Sequence, residues 1–141
     1  MNMHDDVKAF FEKMQQPYQT VPGFGNLKRL QDRIEFLQEE LNELITGKDQ
    51  IDLPLVADAL VDLVYVALGG ALILGLPWQQ LWDDVHRANM AKVPGATHRV
   101  GHGFDAKKPP GWVPPKTLEI LVAAGFVPPA KADELPLAGE G

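Results

Sequence analysis

Apolar positions recur at helical spacing along almost the whole chain. Val7, Phe10, Phe11 and Met14 predict a short helix over 4–15. Pro17, Pro22, Gly23 and Gly25 interrupt the pattern, so 16–25 reads as a loop. Asn26 suits the N-cap of a second helix, with Leu30, Ile34, Leu37, Leu41 and Leu44 as its apolar stripe. That helix is predicted to run to about Ile45, with Gly47 as its C-terminal glycine. A third helix is predicted from Pro54, a favoured first position, to about Leu74. Gly75 punctuates, and Pro77 opens a fourth helix through about Ala91. Residues 93–112 are dense in Gly and Pro and read as one long loop; 114–124 can form a further short helix. No strand and no internal repeat is predicted. The expected fold class is all-α: a bundle of four to five helices with a long Gly/Pro-rich loop near the C-terminus. The expected domain is 1–125, with 126–141 as a flexible Pro/Ala-rich tail.

One pattern conflicts with ordinary packing. The third helix is apolar nearly all round, which predicts burial, yet it carries Asp58 and Asp62 one turn apart. A buried carboxylate without a cation is costly or is forced to protonate. On the second helix, Glu35, Glu39 and Glu43 share a face opposite the leucines, and Glu40 sits about a quarter turn away. Alone, such a face is simply solvated. The connection between the two helices is short, which makes them antiparallel neighbours. Glu43 and Asp58 then lie near the turn, with Glu39 and Asp62 one turn further along. Glu39, Glu40, Glu43, Asp58 and Asp62 are therefore expected to converge on a hard-oxygen site for Mg²⁺ or Mn²⁺, with two or more ions. Such ions take remaining ligands from phosphates and polarise phosphoryl oxygens. The alternative for the two aspartates is an ion pair with Arg29 or Arg33.

Composition narrows the classes. The 141-residue chain is 45% hydrophobic and 23% charged, which is globular rather than disordered. A net charge of −6 argues against a protein that coats nucleic acid, and no direct nucleic-acid binding is expected. The absence of cysteine excludes disulfides and thiolate chemistry. Met1–Asp6 lacks the features of a secretory signal, and the apolar run Leu63–Trp78 is shorter than the roughly 20 residues of a span. The expectation is a cytoplasmic protein that does not engage a membrane. A di-iron carboxylate bundle needs Glu-x-x-His on two helices, and only Asp83-x-x-His86 comes near. His98 and His102 lack a third ligand, and no P-loop is present. A non-enzymatic helical oligomerisation module would leave Asp58 and Asp62 unexplained.

The arrangement Arg33-x₅-Glu39-Glu40-x-x-Glu43, followed by Ala57-Asp58-Ala59-Leu60-Val61-Asp62-Leu63-Val64-Tyr65, resembles the all-α nucleoside triphosphate pyrophosphohydrolases. These are the MazG-like and phosphoribosyl-ATP pyrophosphohydrolase-like enzymes, whose signature is EExxE followed by ExxD. The likeness continues through His86–Lys92 and Lys108–Trp112 and covers roughly 7–124. One departure is clear: Ala59 stands at the ExxD glutamate, and Asp58 forms DxxxD with Asp62 instead. The resemblance is closest to the phage-borne branch, which includes dGTP-cleaving members from phages that carry 2-aminoadenine in their DNA. It implies hydrolysis between the α and β phosphates of a nucleoside triphosphate, dGTP or GTP first, with dUTP or phosphoribosyl-ATP as alternative substrates. It also implies that Glu39, Glu40, Glu43, Asp58 and Asp62 hold metal, with Glu39 or Glu40 activating water. Asn89, Lys92 and Lys108 are implied as phosphate contacts, Phe10, Phe24 and Tyr65 are candidates for the base, and Arg99 and Lys107 join Lys108 on a candidate lid. Family members are dimers or dimers of dimers, so a homo-oligomer is expected.

Overall fold

The computed structural model describes residues 2–95, 103 and 105–130. Five helices carry the fold: α1 Met3–Lys13, α2 Leu27–Gln50, α3 Leu53–Ile73, α4 Trp78–Met90 and α5 Thr117–Ala123. The fold is all-α, as the apolar periodicity predicts. One expectation fails locally. Within 93–112 a short antiparallel hairpin forms, β1 Val93–Gly95 with β2 Asp105–Lys107, so the stretch is not strand-free. Its Gly and Pro content hid the pairing, because three-residue strands carry too little alternation to detect. His98, Arg99, His102 and the tail 131–141 lie outside the described residues.

Local chemistry sets the helix ends. Asn2 caps α1 by accepting from the Asp5 N–H, Asn26 caps α2 by accepting from Lys28, and Asp52 caps α3 by accepting from Leu55. Gly47 does not end its helix: α2 continues to Gln50 and closes on Ile51, which is left-handed at φ 53°. Gly47 is instead buried where α2 and α3 come closest. A Cβ there would lie 2.8 Å from Val56 Cγ2 and 3.0 Å from the Val56 backbone nitrogen. Its glycine is explained by packing, not by a turn.

The core is small: Val7 and Phe11 of α1 meet Leu68, Leu72 and Ile73 of α3, with Tyr18, Leu74 and Trp78 packed against them. The 16–25 loop is tied to the end of α3, where the Gln19 backbone N–H donates to Leu72 O at 3.0 Å and its Nε2 donates to Ile73 O at 2.7 Å. Long antiparallel contact joins α2 to α3, from Gly47 beside Val56 at one end to Arg33 beside Gly69 at the other. The third helix is not buried all round. Ala59, Leu68, Gly69, Ala71, Leu72 and Ile73 face inward, while Leu60 (50% exposed), Val61 (64%) and Val64 (47%) face out. By length and composition α3 is apolar enough to cross a membrane, although the uninterrupted run within it is short.

Candidate metal centre

Sequence spacing places Glu40 between two regions of α2. Seen down the helix, Glu39 and Glu43 lie away from the leucines, whereas Glu40 is the acid nearest to the leucine stripe. Accordingly Glu40 is half-buried, while Glu39 and Glu43 are exposed. Across the seam stands Asp62 of α3. Carboxylate oxygens of Glu40, Glu43 and Asp62 all lie within 4.8 Å of one another. Glu40 Oε2 is buried and has no hydrogen-bond donor among the described residues. Burial pushes the Glu40 carboxyl above its ordinary range, and the adjacent Glu43 carboxyl adds to this, as do the charges of Asp62 and Glu39.

Two of the five expected ligands stand outside the cluster. Glu39 and Asp58 are exposed and not gathered with the other three. The expected burial of Asp58 and Asp62 is also overturned, since both are exposed. The reason is that α3 has protein on part of its circumference only, a fact its composition does not contain. The alternative ion pairs with arginine do not form either. Arg29 donates to Pro17 O at 2.6 Å, and Arg33 stacks on the rings of Phe11 and Phe36. Among the described residues the ion pairs are Lys28–Asp32, Lys48–Asp49 and Arg87–Asp84, none of which touches the acidic cluster.

The donor set fits a hard divalent cation. Three carboxylates converge, one has a buried oxygen with nothing to answer it, and oxygen ligands are what Mg²⁺ and Mn²⁺ take. No second group of His, Asp and Glu with metal-ligand spacing occurs among the described residues. Asp83 accepts from Gln79 Nε2 at 2.8 Å and belongs to no group of three ligand side chains among the described residues.

Two of the expected phosphate contacts meet around Trp112. Lys92 and Lys108 come together over one ring, with their Nζ atoms 5.5 Å and 4.9 Å from the Trp112 centroid. Trp112 is fixed in turn by its Nε1 donating to Ala88 O at 2.7 Å. Asn89 is exposed near the end of α4. None of these three makes a hydrogen bond or ion pair with the cluster. Of the base candidates, Phe10 and Tyr65 meet edge to face at 5.7 Å. Phe24 is separate, and lines an apolar pocket with Leu74, Leu121 and Phe126. Sequence reasoning missed Trp112 as the organiser of the two lysines; its place between Gly111 and Val113 gave no periodic signal.

Residues 7–89, more than half of the chain, match the family model described as phosphoribosyl-ATP pyrophosphohydrolase. The matched segment includes every residue of the acidic cluster. No curated protein matches the chain.

Proposed function

The chain belongs to the phosphoribosyl-ATP pyrophosphohydrolase family, whose activity is nucleotide pyrophosphohydrolysis, and we propose that its substrate is a nucleoside triphosphate cut between the α and β phosphates. The products are the monophosphate and pyrophosphate. The observation that carries this reading is the meeting of Glu40, Glu43 and Asp62 within 4.8 Å around a buried, unanswered Glu40 oxygen. These three would hold Mg²⁺ or Mn²⁺, with Glu39 and Asp58 at the rim to complete a site for two or more ions. When bound, the ions supply positive charge to the phosphate oxygens and the leaving group.

The remaining work falls to side chains. Glu39 stands outside the gathered three but close enough for its charge to bear on Glu40. It is the carboxylate free to orient the attacking water and take its proton. Lys92 and Lys108, held on Trp112, offer point charges to the phosphates, with Asn89 beside them. Phe10 and Tyr65 offer ring faces to the base. The likeness to the phage-borne branch makes dGTP the first substrate to test, before dUTP and phosphoribosyl-ATP. The same reading places the enzyme in the cytoplasm.

The outward face of α3 supports self-association. Leu60, Val61, Val64 and Tyr65 border an open groove of ≈ 450 Å³ with Met3 and Val7. A contiguous apolar surface of this kind on a soluble domain marks an interface. A second copy of the chain covers its Leu60, Val61 and Val64 and leaves the Tyr65 ring to the base, which also accounts for the membrane-like composition of α3. A monomeric mass at micromolar concentration would overturn this.

The decisive assay incubates ribo- and deoxyribonucleoside triphosphates and phosphoribosyl-ATP with Mg²⁺ or Mn²⁺ and separates the products. Monophosphate with pyrophosphate is expected. Diphosphate with orthophosphate would contradict the assigned bond, and iron-dependent oxidation without hydrolysis would support a di-iron bundle instead.

A further inference from the structure

Arg33 is the described arginine whose guanidinium has neither a hydrogen bond nor an ion pair. Arg29 donates to Pro17 O, and Arg87 donates to Asp84, Val113 O and Pro114 O. Arg33 is instead partly buried, with its guanidinium carbon 5.0 Å from the Phe11 ring centroid and 5.8 Å from that of Phe36. Room for it is made across the seam. A Cβ at Gly69 would lie 2.5 Å from Arg33 Nη1, so the glycine leaves the space the guanidinium fills. A flat fork of five donors is thus held between rings and against backbone, with its hydrogen-bonding capacity unused.

Its position along the seam gives that capacity a direction. Arg33 precedes Glu40 by two helical turns on one face of α2, and Gly69 follows Asp62 by two turns on one face of α3. Both spacings correspond to about 10 Å of helix. Phe36 and Tyr65 lie on the intervening turn of the two helices, and the two residues are 45% and 37% exposed. The seam therefore runs from carboxylates, past aromatic surface, to an unpaired planar cation. A nucleotide whose phosphates are fixed at the carboxylates carries its sugar and base toward the other end.

We propose, resting on the nucleotide reading above, that Arg33 is the specificity-determining residue that reads the base, and that the base is guanine. Guanine presents two adjacent acceptors, O6 and N7, which a guanidinium fork meets with two parallel hydrogen bonds. Adenine places an amino donor where guanine has O6, so the same fork meets a donor with a donor. Phe36 and Tyr65 add stacking surface that is indifferent to the base. Discrimination then comes from the fork.

The test uses the full-length protein and four forms: wild type, Arg33→Met, Arg33→Lys and Gly69→Ala. Met keeps the stem between the rings, Lys keeps the charge without the fork, and the alanine displaces the guanidinium without altering it. Binding of dGMP, dAMP and inorganic pyrophosphate is measured by calorimetry, alongside KM and kcat for dGTP and dATP. Wild type is expected to prefer dGMP. Each variant should weaken dGMP by about 10- to 100-fold, the range of one bidentate base contact. Affinity for dAMP and pyrophosphate should stay within about threefold, with the dGTP loss mainly in KM. The proposal is overturned if wild type shows no preference, or if Arg33→Met retains it. It is also overturned if Arg33→Met weakens dGMP, dAMP and pyrophosphate alike, which would make Arg33 a phosphate contact. Should Arg33→Met fail to fold, Arg33→Lys and Gly69→Ala decide by the same criteria. An Arg33-dependent dGMP preference without release of pyrophosphate from any triphosphate would sink the hydrolytic reading alone. Hydrolysis of all triphosphates without preference would sink the role of Arg33 alone.

Discussion

At the junction of α4 and α5 the charges are answered within the chain. Asp84 accepts from Arg87 Nε at 2.7 Å and from the Lys116 backbone N–H at 2.6 Å, and Arg87 also donates to Val113 O and Pro114 O. The α2–α3 seam is built in the opposite way. Among the described residues, Glu40, Glu43 and Asp62 crowd together with no basic side chain paired to them, and Arg33, two turns away, is paired with no carboxylate. The carboxylates show the same contrast. Hydrogen bonds from Arg87 and the Lys116 backbone hold Asp84 below its usual range, whereas burial and neighbouring acids push Glu40 above its own. Charges answered at home stabilise a junction. Charges left unanswered on packed helices lower apo stability and become favourable when a ligand of opposite sign arrives.

The comparison breaks most sharply at Asp62. Asp62→Asn should reduce pyrophosphate release by more than about 100-fold, since loss of outer partners of a metal alone costs 10- to 100-fold. Far-ultraviolet circular dichroism should be unchanged, because Asp62 is exposed and unpaired in the chain. Retained turnover would remove Asp62 from the site.

A smaller effect, opposite in sign at the two regions, should appear in the pH dependence of stability. The folded value for Glu40 lies above the ordinary one near 4.5, so the native state binds the proton more tightly than the unfolded chain. The Glu40 contribution to the melting temperature of metal-free protein should therefore decline as pH rises from about 4.5 through the folded Glu40 value. Glu40→Gln should flatten that decline, and Mg²⁺ or Mn²⁺ should reverse it. Parallel pH profiles of wild type and Glu40→Gln would mean the cluster is not strained.

At Asp84 the folded value lies below the ordinary 3.8, so its stabilisation is present above that pH and is lost as pH falls through the folded value. Asp84→Ala should lower the melting temperature at neutral pH and converge with wild type in acid, with Asp62-dependent turnover retained. A variant that lost turnover but kept its melting temperature would reverse the roles assigned to the two regions.

The smallest effect tests local chemistry away from both. Asn26→Ala removes the side chain that accepts from the Lys28 N–H and should cost about 1 kcal/mol in denaturant unfolding, with turnover unchanged.

The amino-acid sequence by itself determined the helices, since apolar spacing, Asn26 and Pro54 act through neighbours a few residues away. It also marked the two acidic segments, because Asp58 and Asp62 interrupt an otherwise apolar run. The tertiary structure decided the rest. Which acids meet depended on the roll of α2 against α3, which turns Glu40 inward, leaves Glu39 at the rim and keeps Asp58 out of the group. Part of that packing is the close approach of α3 at Gly47, a residue whose local signal reads as a helix stop. The exposure of Asp58 and Asp62 likewise depended on how much of the circumference of α3 the other helices cover. Periodicity reports which face of a helix is apolar. Only packing reports how much of that face finds a partner, and which charged groups are left facing one another.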